Sequence, residues 1–418
     1  MTAKKKQLPG KSGDSLGTDR GQIGDSLGTD RGQIGDKSQS SSGQELEYGK
    51  VVTNRAIVPE RFDDGYYHFR KDVMEYPEAD TFVVWSRRGP GKTYSFLRYM
   101  VETDQFFIYM KRTNDDVELL CTGANNPDMK VDTDPFVPLN RDFGWNIKPH
   151  LIDKGIAGFY DCTEEGKPIG APIGLIVSLN RVAKVKGSDM SKASWICFDE
   201  FVPQATEVVR RKEGETFLNF VMTVMRDKIK RGQKLKLALF ANSEEISTPV
   251  TNELEIVDSM AEVAFRRQSH YYDWERGMVL HYITQQEIPL TKEELSSGMY
   301  RLMRGTAWAQ KAFFGEFANN DFSNVKKLSI KNMQCLHKIH YKSKDMYIYR
   351  RPSDGMYYMC SSQGPFSYEW DLNKENHQKL FFIDHGQELR VECIEDKMKF
   401  EKYSMYDLIM NYRKIFAV

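Results

Sequence analysis

The 418-residue chain has no apolar run approaching the ~20 residues a membrane-spanning helix requires, so no helical anchor is expected. It has no net charge either. The 59 lysines and arginines balance 59 aspartates and glutamates, so a nucleic-acid partner must be met by local basic patches. Cysteine is scarce and scattered. Cys121, Cys162, Cys197, Cys335, Cys360 and Cys393 show neither C-x-x-C nor zinc-type spacing, which points to reduced thiols. Lys4, Lys5 and Lys6 lead into glycine and serine, so no signal peptide is expected. These absences lead us to expect a soluble intracellular protein.

The beginning of the chain is a different material from the rest. GDSLGTDRGQI occurs at 13–23 and again at 24–34, followed by a truncated third copy. An 11-residue period can mark a supercoiled helix, but three glycines per repeat argue against one. With a single Leu and a single Ile per repeat the segment cannot bury a core, and we expect residues 1–47 to be a flexible low-complexity tail.

The central stretch is TFVVWSRRGPGKTYSFLRYM, residues 81–100. An apolar strand empties into a glycine-containing loop that opens a helix. The loop follows the pattern G-x-x-x-x-G-K-[ST], with Ser86 where the first glycine stands. Gly89 and Gly91 let the backbone curl so that its N–H groups face phosphate oxygens, and the helix N-terminus adds partial positive charge. Lys92 suits the β- and γ-phosphates, and the Thr93 hydroxyl suits Mg²⁺. The candidate ATP-binding residues are therefore Ser86, Arg87, Arg88, Gly89, Pro90, Gly91, Lys92, Thr93 and Tyr94. An aromatic from Tyr66-Tyr67-His68-Phe69 could stack on the base or pack under the sheet.

The partner of such a loop is a second strand ending in carboxylates. SWICFDEF supplies it about 106 residues later: an apolar run closing on Asp199, suited to Mg²⁺, and Glu200, suited to orienting the attacking water. Lys111 and Arg112 follow a buried-strand run, FFIYM, and suit a phosphate, an acidic partner or a solvated strand end. Lys184 and Lys186 occupy a basic loop that suits DNA, a neighbouring subunit or solvent. Phe217 to Met225 reads as a helix running into Arg226, which is either a solvated helix-end cation or an arginine reaching a neighbour's site. LKLALFANS ends on Asn242, a turn residue or a γ-phosphate sensor. Residues 121–150 read mostly as loop.

Taken in order, WSRRGPGKTY, FFIYMKR, SWICFDEF, FLNFVMTVMR and LFANSEE resemble the DNA-packaging ATPases of small short-tailed phages with protein-capped linear genomes, relatives of terminase large subunits. The resemblance implies an α/β protein with a P-loop ASCE (RecA-like) ATPase domain at 48–255, a linker subdomain at 256–321 and an RNase H-like C-terminal domain at 322–418. It implies ATP and Mg²⁺ as cofactors and double-stranded DNA and the capsid portal vertex as partners. It further implies a homo-oligomeric, pentameric ring in the host cytoplasm, transiently on the portal, with a scaffold RNA as a further candidate partner. Carried over by position, Lys92, Thr93, Asp199 and Glu200 take the Walker roles and Arg88 matches an arginine inside the loop. Arg226 matches a trans-acting arginine finger, Lys186 falls near a basic subunit-boundary residue, and Asn242 matches the motif coupling hydrolysis to movement. A helicase-like ring ATPase and a non-hydrolysing nucleotide switch are the alternatives.

The C-terminal part reads as a β-hairpin around Pro352-Ser353-Asp354-Gly355, with an amphipathic helix from Ser404 to Phe416. A two-metal nuclease needs about three converging carboxylates. Here the first strand offers Tyr349, Arg350 and Arg351, so cutting is not expected, and the two arginines suit a nucleic-acid backbone or solvent.

Overall fold

A computed structural model describes residues 59–416 apart from 126–132, 183–189, 205–206, 208, 211, 307–308, 310–311 and 314–319. The N-terminal repeats and the expected contacts Lys184 and Lys186 lie outside the described residues. Helix α1 (Phe69–Glu75) leads to β1 (Thr81–Ser86), α2 (Lys92–Glu102), β2 (Phe107–Lys111), α3 (Asn114–Asn125) and α4 (Val137–Phe143). The strands β3 (Ile147–Asp153), β4 (Ile156–Cys162), β5 (Pro168–Ser178) and β6 (Trp195–Asp199) follow. Then come α5 (Glu213–Lys230), β7 (Lys236–Asn242), α6 (Pro249–Glu253), α7 (Val257–Arg266), β8 (His270–Asp273), β9 (Met278–Ile283), α8 (Lys292–Ser296) and α9 (Gly298–Met303).

Nine strands form one sheet in the order β3-β4-β5-β2-β6-β7-β1-β9-β8. The six strands from β5 to β9 are mutually parallel, and antiparallel hairpins close both edges. Parallel strands covered on both faces need continuous apolar sequence, and the β1 run Phe82-Val83-Val84-Trp85 is fully buried. On one face Phe69 of α1 packs edge-on against Phe82, Phe96 and Trp195, with ring centroids 5.2–5.5 Å apart. This cluster seats α2 against β1 and β6 and so fixes the loop between β1 and α2.

Register then sets the site. Ser86 lies opposite Asn242 where β1 meets β7, and Phe240 lies opposite Asp199 where β7 meets β6. Met110 pairs with Phe198, so Lys111 emerges one residue further along β2, beside Asp199. Strand β7 separates the glycine-loop strand from the acidic strand.

Two expectations are corrected here. Strand β9, inside the span read as a linker, belongs to the main sheet and pairs with β1 throughout. The stretch 121–150 contains the end of α3, all of α4 and most of β3 rather than mainly loop.

The second sheet runs β13 (Tyr368–Asp371), β10 (Gln334–Tyr341), β11 (Lys344–Arg350), β12 (Tyr357–Cys360), β14 (Met398–Phe400). β11 and β12 form the expected hairpin, closed by Arg351 N donating to Met356 O, with Gly355 at φ 75°. Helices α10 (Glu375–Phe381) and α11 (Gln387–Ile394), separated by a π-type segment, cover the sheet with α12 (Tyr403–Met410) and α13 (Tyr412–Phe416). The helix expected over 404–416 is thus two helices, interrupted at Asn411. Hydrogen bonds from Ser404 to Asp258 and from Ser247 to Asp407 join this half to the loops and helices after β7.

Candidate nucleotide site

Gly89 and Gly91 have φ of 94° and 95°, the left-handed region that side chains avoid, and they curl the loop back onto the start of α2. Tyr67 N donates to Pro90 O at 2.9 Å and holds the loop from the α1 side. Lys92 is buried at the first helical position. Its Nζ donates to Ser86 Oγ at 2.5 Å and reaches Arg87 O and Asn242 Oδ1 at 3.4 Å each. Ser86 therefore does more than replace a glycine: its hydroxyl accepts from the buried ammonium. Burial drives the Lys92 pKa down to about 8, against the pull of Asp199 and Glu200. An anion at the loop would relieve this penalty.

Asp199 is buried at the tip of β6. It accepts from Thr93 Oγ1 at 3.0 Å, Tyr109 Oη at 2.5 Å and Lys111 Nζ at 3.0 Å. Burial would raise its pKa, but Lys111 and these hydroxyls outweigh it and hold the carboxyl below its usual range. Lys111 also donates to Glu200 Oε2 at 3.3 Å, and its own pKa is raised because the two carboxylates outweigh burial. Glu200 has φ 56°, a left-handed conformation that costs a non-glycine residue about 1 kcal/mol or more. Its carboxylate is half exposed at the mouth of the site.

Lys111 and Arg112, read as suiting a phosphate, an acidic partner or solvent, are both turned onto carboxylates of their own chain. Lys111 neutralises the acidic pair. Arg112 is buried, donating to the Glu213 carboxylate, to Glu207 and to the carbonyls of Glu200 and Phe201. The pattern of a strand exit followed by two cations is visible in the sequence, but the pairing of β2 with β6 that aims them is not.

The other loop residues divide. Arg87 is buried and points away from the loop cavity, donating to Glu294 of α8 at 2.9 and 3.3 Å. The guanidinium is thus taken up by Glu294 and by Arg88 O, which leaves the backbone N–H of Arg87 as its group for the nucleotide site. Arg88 is half exposed, with Glu244 at 3.7 Å on the segment after β7. Tyr94 donates to Asp142 at 3.0 Å. A cavity of about 260 Å³ lies between Gly89, Gly91, Lys92 and Thr93 on one side and Asp199, Glu200 and Asn242 on the other. It adjoins a cavity of about 440 Å³ that shares Gly89, Gly91 and Tyr94 and is lined by Tyr66 and Arg141. Tyr66 is exposed and Tyr67 is buried, and both line that cavity. Arg226 is exposed near the end of α5 and does not line the cavity of its own chain.

The oxygen donors of Thr93 and Asp199, side by side at the cavity wall, fit a hard divalent cation. Elsewhere, Asp72, His270 and His281 are the one group among the described residues with three such ligand atoms close together. The His270 and His281 rings stack at 3.7 Å with an interplanar angle of 31°. The cluster is a charge network: His281 bridges Asp72 at 2.8 Å and Glu287 at 2.9 Å, and Tyr67 donates to Asp72 at 2.7 Å. Burial opposes charge on His281, but Asp72 and Glu287 outweigh it and raise its pKa to about 9.

In the second sheet, Arg350 is exposed and lies over the Tyr357 ring, and Arg351 pairs with Asp354 at 2.9 Å in the turn. No three carboxylates converge there among the described residues.

No family model matches the chain, and no curated protein sequence matches it. Among solved structures, the chain is similar to the Phi-28 gp11 DNA packaging motor, with TM-score 0.54 and 14% identity, over 84% of this chain and 98% of that one. It is also similar to the bacteriophage Phi-29 viral genome packaging motor assembly, with TM-score 0.53 and 15% identity, over 84% of this chain and 99% of that one. Over 84% of its length the chain shares the fold of these two packaging motors.

Proposed function

We propose that this chain is an ATP-hydrolysing motor that moves double-stranded DNA into a preformed viral capsid, working as a homo-oligomeric ring at the portal vertex. The observation that carries the reading is the approach of Thr93 Oγ1 to Asp199 Oδ1 at 3.0 Å, beneath a buried Lys92 at a helix N-terminus. Two stretches 106 residues apart thereby make one hydrolytic site. Likeness of fold to packaging motors supports the choice of work to which hydrolysis is coupled.

In this reading the 86–93 loop is a Walker A loop and its N–H groups cradle the β- and γ-phosphates. Lys92 leaves Ser86 for the phosphates. Thr93 and Asp199 would hold Mg²⁺, which would supply charge neutralisation to the phosphates. Glu200 orients the attacking water and accepts its proton. Asn242 sits between Lys92 and the segment leading to Glu244, and so reports the state of the phosphates to the loop that Arg88 and the C-terminal half contact. Tyr66 stacks on the base in the adjoining cavity. Arg226, on the far end of α5, serves a neighbour's site as an arginine finger. Lys184 and Lys186, which precede β6 in the sequence, and Arg350, exposed on β11, are offered to DNA or to a neighbouring subunit. The second sheet is an RNase H-like domain without nuclease activity.

The test is ATP hydrolysis with and without intact duplex, together with a strand-separation assay. The motor reading expects duplex DNA to stimulate hydrolysis without unwinding. Unwinding would favour a helicase, and hydrolysis indifferent to DNA would contradict both.

A further inference from the structure

We propose that Arg112 is a positioning residue for Glu200: its guanidinium fixes the left-handed turn that aims the carboxylate and ties that turn to the helix carrying Arg226. The inference rests on the hydrolytic reading above and assigns part of how that site is built.

The turn after β6 is held from two sides. Phe201 N donates to Phe240 O on β7 at 3.1 Å. On the other side Arg112 Nη1 donates to Glu200 O at 3.2 Å and Nη2 to Phe201 O at 2.8 Å. Two successive carbonyls are thereby gripped by one planar group, at the residue whose φ of 56° an unrestrained glutamate would leave. The same fork also reaches two carboxylates. Nε reaches both Glu213 carboxylate oxygens at 3.1 and 3.2 Å, and Nη1 reaches Glu207 Oε2 at 2.7 Å. Glu213 is the first residue of α5, and Arg226 stands further along the same helix. The Phe198 ring lies 5.8 Å from the guanidinium carbon.

Only arginine can do this. A guanidinium presents five donors in a rigid fork, whereas an ammonium is a point charge that cannot span two carbonyls and a carboxylate with fixed geometry. Arg112 and Lys111 divide the work at the strand exit: Lys111 contacts the Glu200 side chain, and Arg112 contacts its backbone. Released from Arg112, the turn relaxes toward extended backbone and carries the carboxylate off the line of the attacking water.

The test is a double-mutant cycle on the full chain, using Arg112→Lys and Glu200→Gln singly and together. The readouts are equilibrium binding of a fluorescent ATP analogue and single-turnover ATP hydrolysis with duplex DNA. Misplacement by about an ångström costs on the order of 100-fold. Arg112→Lys is therefore expected to lower the hydrolysis rate about 10- to 100-fold while leaving nucleotide affinity within about twofold. In the Glu200→Gln background the same change should alter the residual rate by less than about twofold, because the group it positions is gone. Equal losses in both backgrounds would make Arg112 a general staple and overturn the proposal, as would full activity of Arg112→Lys. If Arg112→Lys loses its cooperative thermal transition, Glu207→Gln releases one arm of the fork at a partly exposed site and takes its place in the cycle. A rate loss confined to the Glu200 background then supports the proposal, and equal losses or none overturn it. A wild-type chain that hydrolyses no ATP would overturn the hydrolytic reading along with this one.

Discussion

Lys111 Nζ stands 3.0 Å from Asp199 Oδ2 and 3.3 Å from Glu200 Oε2, so an ammonium occupies the ground beside the carboxylate that the proposed mechanism gives to Mg²⁺. Removing one partner of a buried ion pair leaves the other charge uncompensated, at a cost of about 3 kcal/mol. Lys111→Met should therefore destabilise the ligand-free protein by about that amount, read by urea denaturation. Mg²⁺ with ADP should narrow the deficit, because the metal takes over the neutralising role. A deficit unaffected by Mg²⁺ and ADP would separate Lys111 from the metal position.

The depressed Lys92 pKa makes a second prediction. Burial holds the free-state value near about 8, and a phosphate beside the ammonium raises it. Nucleotide binding near pH 8 should then take up protons, and affinity should fall as pH rises through this value. Calorimetry in buffers of different ionisation enthalpy measures the uptake. Proton release, or none, would contradict the assignment.

The Asp72–His281–Glu287 network gives a third. His281 titrates at about 9 in the folded chain and from an ordinary 6.5 when unfolded. Its stabilisation is complete below about pH 6.5 and is lost as pH rises toward 9, at up to about 1.4 kcal/mol per pH unit. Because Tyr67 links Asp72 to the Pro90 carbonyl, the loss should also loosen the glycine loop. Thermal melts from pH 6 to 9.5 should show this slope in the wild type and a reduced one in His281→Gln. Parallel curves would show that the network does not govern it.

The strands and the glycine loop are legible in the sequence because their signals are local. Phe82 to Trp85 and Trp195 to Phe198 are continuous apolar runs, and the loop between β1 and α2 needs its glycines. Sequence pairs Thr93 with Asp199 only through the order of the motifs. It cannot show which way Lys111 and Arg112 turn, since that depends on β2 lying beside β6. Nor can it show that the Arg87 guanidinium is held by Glu294, or that β9 joins the main sheet, because both contacts cross long sequence separations. Ser86 reads as a defect in a pattern until its hydroxyl is placed on Lys92.

The exposed position of Arg226 supports a fourth prediction. Lys92→Ala and Arg226→Ala subunits, each inactive alone, should recover part of the hydrolysis when mixed, since one supplies a finger and the other an intact loop. Mixtures that stay inactive at every ratio would count against action between subunits.

On the proposed function, ATP is hydrolysed in the cavity between the 86–93 loop and the Asp199–Glu200 strand end. The most direct measurement compares ATP binding and single-turnover hydrolysis in wild type and Glu200→Gln, with duplex DNA present. Loss of a positioned general base costs about 100-fold or more in rate. That loss is expected in Glu200→Gln, with ATP affinity retained. Undiminished hydrolysis by Glu200→Gln would contradict it.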